Sequence, residues 1–366
     1  MKWILLVFLY GSGYLQAQDM PQFRAQTIDA FPGGYSVCVA DMNSDGLADI
    51  IGLSTNPSAF VWYENPSWQK HVISHETTEN IDCAPYDIDH DGRLDIALQS
   101  DFRMNRTGTG GLVQWLKNPA DTAEPWSRFA IWSEPTCHRI RWADFDGDGE
   151  SELVNAPLMG LNATSPEWNV GARLQWFSIP DDPEQGPWMP HLIDDRLTVL
   201  HGLWIGDWDG DHRDDLLTAS FEGVHLYRSD GTGGELLWDK TKLGEGNQSG
   251  VARGSSEVSP GRRNGDGHAF IAAIEPWHGN EVVVYLPPAG RDGLWERAVI
   301  DATFHGGHGM VCGDLNNNGA DELSPGIGIT AEVCTFTGVL MLRGKNGRKS
   351  RSTSTALPFQ TSAPRT

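Results

Sequence analysis

Residues 41–49 read DMNSDGLAD, and the same grammar returns at 87–95 (DIDHDGRLD), 144–152 (DFDGDGESE), 207–215 (DWDGDHRDD) and 314–322 (DLNNNGADE). Each nonapeptide places oxygen-bearing side chains at positions 1, 3 and 5, a residue for a sharp turn at 6 and a carboxylate at 9, which is a small cage for a hard cation. The predicted ligands are Asp41, Asn43, Asp45 and Asp49, then Asp87, Asp89, Asp91 and Asp95, then Asp144, Asp146, Asp148 and Glu152, then Asp207, Asp209, Asp211 and Asp215, and finally Asp314, Asn316, Asn318 and Glu322. Calcium tolerates so irregular a cage better than magnesium, the second choice, and its role here is to staple strands. In the fourth loop His212 stands where the others have glycine, so it either accepts a left-handed backbone or the turn differs.

Outward from each loop the chain is apolar on both sides, as in YSVCVA before Asp41 and IIGL after Asp49, which reads as two strands joined by the loop. A third strand ending in an aromatic and a proline follows at 61–66, 113–119, 174–180 and 282–288, and a fourth begins at Trp68, Trp126, Trp188, Trp238 and Trp295. Four strands per unit of about 55 residues make a propeller blade. Residues 254–285 carry the flanking strands without the acidic loop, so they form a blade whose loop has decayed. The expectation is an all-β propeller of six four-stranded blades, derived from a seven-bladed ring and spanning residues 18–343. Residues 22–29 (QFRAQTID) repeat the fourth-strand signature and are expected to close the ring against the C-terminal blade. These repeats resemble the FG-GAP or VCBS family, whose propellers serve enzymes, lectins and adhesion proteins alike, so the resemblance implies a fold and leaves function open.

The termini depart from the repeat. Met1-Lys2, an apolar run over 3–10 and the small residues before Ala17 read as a signal peptide of residues 1–17, placing the mature chain outside the cell or in the periplasm. No stretch is long enough to insert into a membrane. After Glu322 the grammar stops, and residues 344–366 form a basic, Ser/Thr-rich tail. Codons for the segment from about 324 onward can be chosen so that a one-nucleotide shift restores an aromatic third strand and a Trp-led fourth; a frameshifted or truncated gene is therefore expected, against the simpler reading of a disordered tail. The net charge of −22 disfavours nucleic acid and anionic membranes as partners. The five cysteines lack CxxC spacing, and four precede acidic loops, where small buried residues are expected, although an exported chain can oxidise them.

Six positions upstream of the loop aspartates stand His138, His201 and His308, with Tyr35 in a fourth blade and Glu257 near the same column in the degenerate one. Six residues of strand rise about 20 Å, so these side chains belong to the face opposite the loops, around the mouth of the central channel. The connection after the second strand returns to that face and brings Glu275, Trp277 and His278 in one blade and Glu222 in another. Taken singly, a histidine at a strand end serves to hold a neighbouring loop. Three in one column, with Arg139 beside them, describe a funnel for a polar ring-shaped ligand, or a transition-metal site that includes His201, His305 and His308.

The strings HRIRWAD (138–144), VLHGLWIGD (199–207), GSSEV (254–258), IEPWHGNEVVVY (274–285) and HGGHGMVCGDLN (305–316) resemble the propeller portion of the aldos-2-ulose dehydratases, which eliminate water from keto-sugars such as 1,5-anhydrofructose. That resemblance implies a carbon–oxygen lyase with His138 as base and with His201, Glu257, His278 and His308 as acid, enolate stabiliser or sugar clamp, while the funnel reading puts Arg139, Glu275 and Trp277 around the sugar. The chain has no cupin domain after the propeller, so a second, isomerising step is not implied. The rival class is a non-catalytic module that holds a glycan or a protein.

Overall fold

A computed structural model of the chain describes residues 23–327 apart from 122–123, 231–235, 264–267, 289 and 291–292, together with residues 335–336. The expected signal peptide, Cys334 and the basic tail of residues 344–366 lie outside the described residues, and of the segment expected from about 324 to read in another frame only residues 324–327 and 335–336 are described. The first blade is β1 (Gly34–Ala40), β2 (Asp49–Ser54), β3 (Ala59–Glu64) and β4 (Gln69–Ser74). The second is β5 (Asp82–Tyr86), β6 (Asp95–Ser100), β7 (Leu112–Lys117) and β8 (Ser127–Ser133), and the third is β9 (Cys137–Ala143), β10 (Glu152–Pro157), β11 (Leu174–Phe177) and β12 (Pro190–Asp194). The fourth is β13 (Gly202–Gly206), β14 (Asp215–Ser220), β15 (Gly223–Asp230) and β16 (Leu237–Gly244), and the fifth is β17 (Glu257–Arg262), β18 (His268–Glu275), β19 (Glu281–Leu286) and β20 (Glu296–Asp301). The sixth has three described strands, β21 (Gly307–Gly313), β22 (Glu322–Ile327) and β23 (Thr335–Phe336). Every sheet is an antiparallel meander in chain order, as the repeat predicts.

The core lies between blades. One apolar cluster joins Ile51, Leu53, Phe60 and Trp62 of the first blade to Cys83, Ile96, Leu98 and Trp126 of the second, and four more join each later pair of neighbours in turn. The tryptophans that open the fourth strands are part of this packing, because a large flat ring spans the gap between two twisted sheets. Among the described residues no such cluster joins the sixth blade to the first.

Among the described residues the ring closure expected of residues 22–29 is not seen. Among the described residues the segment 23–31 carries no strand; Asp29 accepts hydrogen bonds from the Tyr63 hydroxyl at 2.6 Å and Lys70 Nζ at 2.8 Å. These two contacts tie Asp29 to the first blade.

Candidate active site at the channel mouth

Three side chains of the predicted column are aimed by the same backbone device. Residues Tyr35, His138 and His308 are each the extra residue of a β-bulge: Gly34 and Ser36 pair with Ser54 and Leu53, Cys137 and Arg139 with Pro157 and Ala156, and Gly307 and Gly309 with Ile327 and Gly326. A bulge residue leaves the ladder and re-aims its side chain, here toward the centre. The Tyr35 hydroxyl lies 3.2 Å from His138 Nε2 and 3.3 Å from His308 Nε2. Three blades thus meet on one phenol oxygen.

Two further imidazoles complete the cluster. His201 precedes β13, and its Nδ1 lies 2.9 Å from both the Ser256 carbonyl oxygen and Glu257 Oε1. Both are acceptors, so the proton sits on Nδ1 and the lone pair on Nε2 faces inward. His278 occupies the β18–β19 turn in the left-handed region, at φ 50°, a strained position for a non-glycine residue and one typical of functional sites. Its Nε2 lies 3.0 Å from His201 Nε2, and its ring stacks on His308 with centroids 4.7 Å apart. The Gly307 amide donates to Gly279 O at 3.0 Å, which fastens that turn to the start of β21.

Arg139 spans the two halves. It donates to His138 Nε2 at 3.1 Å and to Glu257 Oε1 at 2.7 Å. A guanidinium can only donate, so the His138 lone pair is on Nε2, on the side of Tyr35, and its buried Nδ1 has no hydrogen-bond partner among the described residues. Burial, reinforced by the charge of Arg139, holds His138 and His201 well below the usual imidazole range; burial, then the neighbouring His201 and Arg139, does the same for His308. Burial also lowers His278. All four rings are therefore neutral near pH 7. Burial pushes the Tyr35 phenol up to about 12, so it keeps its proton. One ligand atom from each of His201, His278 and His308 falls within a 4.8 Å group, a donor set suited to a transition metal.

The structure redistributes several of the predicted residues. Glu275 does not face the funnel: it is fully buried beneath it, accepting from Ser255 Oγ at 2.7 Å, Arg297 Nε at 2.7 Å and the Tyr285 hydroxyl, because its strand position points between sheets. Glu222 caps the Thr198 amide and hydroxyl. His305 is exposed, and the third imidazole beside His201 and His308 is His278 instead. Trp277 stays in the wall, 4.8 Å from His278 between ring centroids, with its buried Nε1 unpartnered among the described residues. Sequence reasoning missed Phe102, whose ring is 5.7 Å from that of His138, although the rule that selected His278, the connection after a second strand, also covers it.

At the other end of the inner strands the acidic loops share one geometry. The first aspartate accepts the amide of position 6, as Asp41 does from Gly46, and in every loop but the third that of position 5 as well, as from Asp45; the ninth residue accepts the amide of position 2, as Asp49 does from Met42 at 2.8 Å. His212 takes φ 71° where Gly46, Gly92 and Gly319 take 84–87°, so the loop keeps its shape at a cost of about 1 kcal/mol. The ligand atoms of Asp87, Asp89 and Asp95, of Asp144, Asp146 and Asp148, and of Asp207, Asp209 and Asp215 each gather within 4.8 Å. Burial and the other carboxylates of the same loops push Asp95, Glu152 and Asp215 up to about 7, the repulsion that a bound cation relieves.

Residues 110–287 match the family of the aldos-2-ulose dehydratase β-propeller domain, and residues 41–98 match the FG-GAP-like repeat. The chain is 27% identical over 312 residues to aldos-2-ulose dehydratase of Phanerodontia chrysosporium, an alignment that covers 79% of this chain and 33% of that protein. The chain is a distant homologue of aldos-2-ulose dehydratase. It spans about a third of that relative's length. The aldos-2-ulose dehydratase propeller match takes in His138, Arg139, His201, Glu257 and His278, whereas Tyr35 and His308 lie outside it, in the first and sixth blades. Among solved structures, an Agrocybe aegerita lectin described for recognition of non-reducing terminal N-acetylglucosamine superposes at a TM-score of 0.52 and 14% identity, covering 88% of this chain and 80% of that one; this likeness shows the propeller fold alone. The PQQ-bound aldose sugar dehydrogenase of Streptomyces coelicolor, at a TM-score of 0.40 and 12% identity over 82% of this chain and 93% of that one, is too loose a match to bear on the site.

Proposed function

We propose that the chain is an exported hydro-lyase that acts on a keto-sugar such as 1,5-anhydrofructose by removing a proton α to the carbonyl and expelling a neighbouring hydroxyl. The observation that carries this reading is the contact of His138 and His308 with one phenol oxygen of Tyr35. It sets a neutral base beside a protonated acid in a site walled by Phe102 and Trp277.

In this reading His138 Nε2 gives up its hydrogen bond from Arg139 to take the α proton, and the Tyr35 phenol, protonated throughout the neutral range, gives its proton to the departing hydroxyl. Glu257 fixes the Nδ1 tautomer of His201 and balances the charge of Arg139. His201, His278 and His308 would hold a divalent transition metal, and their neutrality and spacing fit it. Such an ion supplies Lewis-acid polarisation of a carbonyl. The acidic loops would hold calcium as structural staples, and the apolar leader ahead of Ala17 would direct export.

The test is incubation with 1,5-anhydrofructose while ultraviolet absorbance of an enone product is followed. Product formation that disappears in His138→Gln supports the lyase. Absence of product together with retained glycan binding assigns the chain to the non-catalytic glycan-binding class instead.

A further inference from the structure

The Tyr35 hydroxyl reaches the imidazoles from β1, and among the described residues β1 is braced by a neighbouring sheet on one side only. Val37, two residues along from Tyr35, lies at the inner-strand position occupied by Cys83, Ile140, Leu203 and Met310 in four other blades. Those four are 3%, 0%, 7% and 7% exposed, because each packs on the inner strand of the preceding blade, whereas Val37 is 65% exposed. Val39 on the same face is 61% exposed. The position of β1 therefore depends on its opposite face, which meets β5 of the second blade through Ser36 and Cys38. Ser36 Oγ donates to Asp82 Oδ1 at 3.1 Å, and Cys38 Sγ lies 2.9 Å from Cys83 Sγ. Two unbonded sulfurs rest about 3.6 Å apart, so this pair is already inside van der Waals contact.

We propose that Cys38 and Cys83 form a disulfide that staples the first blade to the second and so holds Tyr35 at the channel mouth. Cys38 is part-exposed and Cys83 buried, which sets the order of events. The Cys38 thiolate attacks a low-molecular-weight disulfide such as oxidised glutathione and releases one thiol. The Cys83 thiolate then attacks the Cys38 sulfur of the mixed disulfide and releases the second; the protein loses two electrons and two protons, and the oxidant gains them. Cys137 and Cys312 are placed differently, each with its sulfur 3.7 Å from a backbone carbonyl oxygen, of Ser100 and Ser259.

The staple itself is read without any assay of activity; only its value to Tyr35 rests on the catalytic reading. The full chain is incubated with oxidised glutathione, alkylated under denaturing conditions without reductant, and digested for mass spectrometry. The expected product is a Cys38 peptide joined to a Cys83 peptide and lighter by two hydrogens, with Cys137 and Cys312 alkylated. Alkylation of both Cys38 and Cys83 overturns the proposal, as does linkage of either to a third sulfur. The loop closed spans 45 residues, so reduction should lower the melting temperature by about 5 °C. Cys38→Ser and Cys83→Ala should each reproduce that loss and make the protein indifferent to reductant; a melting temperature of the parent chain that reductant leaves unchanged overturns the staple.

Discussion

Arg139 Nη2 lies 2.7 Å from Glu257 Oε1 across 118 residues of sequence, and both side chains are close to nine-tenths buried. The pair joins the third blade to the fifth beneath the imidazoles. Removing one member leaves a buried charge unpaired, so Arg139→Met should cost about 3–5 kcal/mol in urea unfolding. Replacing both by apolar residues should recover much of that stability but not activity, because His138 and His201 then lose the groups that set their tautomers.

Tyr35→Phe keeps the ring and removes one oxygen. Enone formation should fall by about 100-fold or more, while stability changes by about 1 kcal/mol, the value of a single hydrogen bond. Equal loss of both would mean that the phenol only holds the blades together.

Acid stability should depend on His225, which is 5% exposed in β15. Burial, aided by the charges of Lys240 and Lys242, lowers its imidazole to about 3. The unfolded chain takes up the proton near pH 6.5 and the folded chain only near pH 3, so stability is complete above 6.5 and declines as the pH falls between those values. The contribution is on the order of 4 kcal/mol at pH 3. Denaturant titrations from pH 7 to 4 should show a shallower decline in His225→Gln.

Chelation should expose the role of the acidic loops. At free calcium a hundred times the dissociation constant, one site contributes about 2.7 kcal/mol. Chelator should therefore lower the melting temperature and calcium restore it, with a smaller calcium response in Asp144→Ala. A melting temperature indifferent to both would remove cations from the account of the fold.

Cobalt(II) titration reads the imidazole triad. Binding to His201, His278 and His308 should give visible absorption bands that His278→Ala abolishes, whereas variants of the acidic loops leave them intact.

Strand order and blade boundaries were legible because the repeat states them five times in phase. Oxygen ligands alternate at DMNSDGLAD and its kin, and Trp68, Trp126, Trp188 and Trp295 each stand at the entry to an outer strand. The column of Tyr35, His138, His201 and His308 was legible for the same reason. Glu275 misled, since a strand residue beside a funnel turn can point between sheets as easily as into the channel. The pairing of Cys38 with Cys83 was invisible, because contact between inner strands of neighbouring blades has no fixed sequence spacing.

Local chemistry, then, was enough to specify the elements: alternating apolar residues make strands, alternating carboxylates make turns, and both repeat with a period that any chain position reports. Distance between blades is a different quantity. The meeting of Tyr35, His138 and His308 depends on three bulges that turn their side chains inward by amounts set by sheet twist and interblade packing, and the exposure of Val37 depends on which blade is its neighbour. Those relations arise when separate sheets are brought together around an axis, so they are properties of the assembled chain rather than of any segment within it.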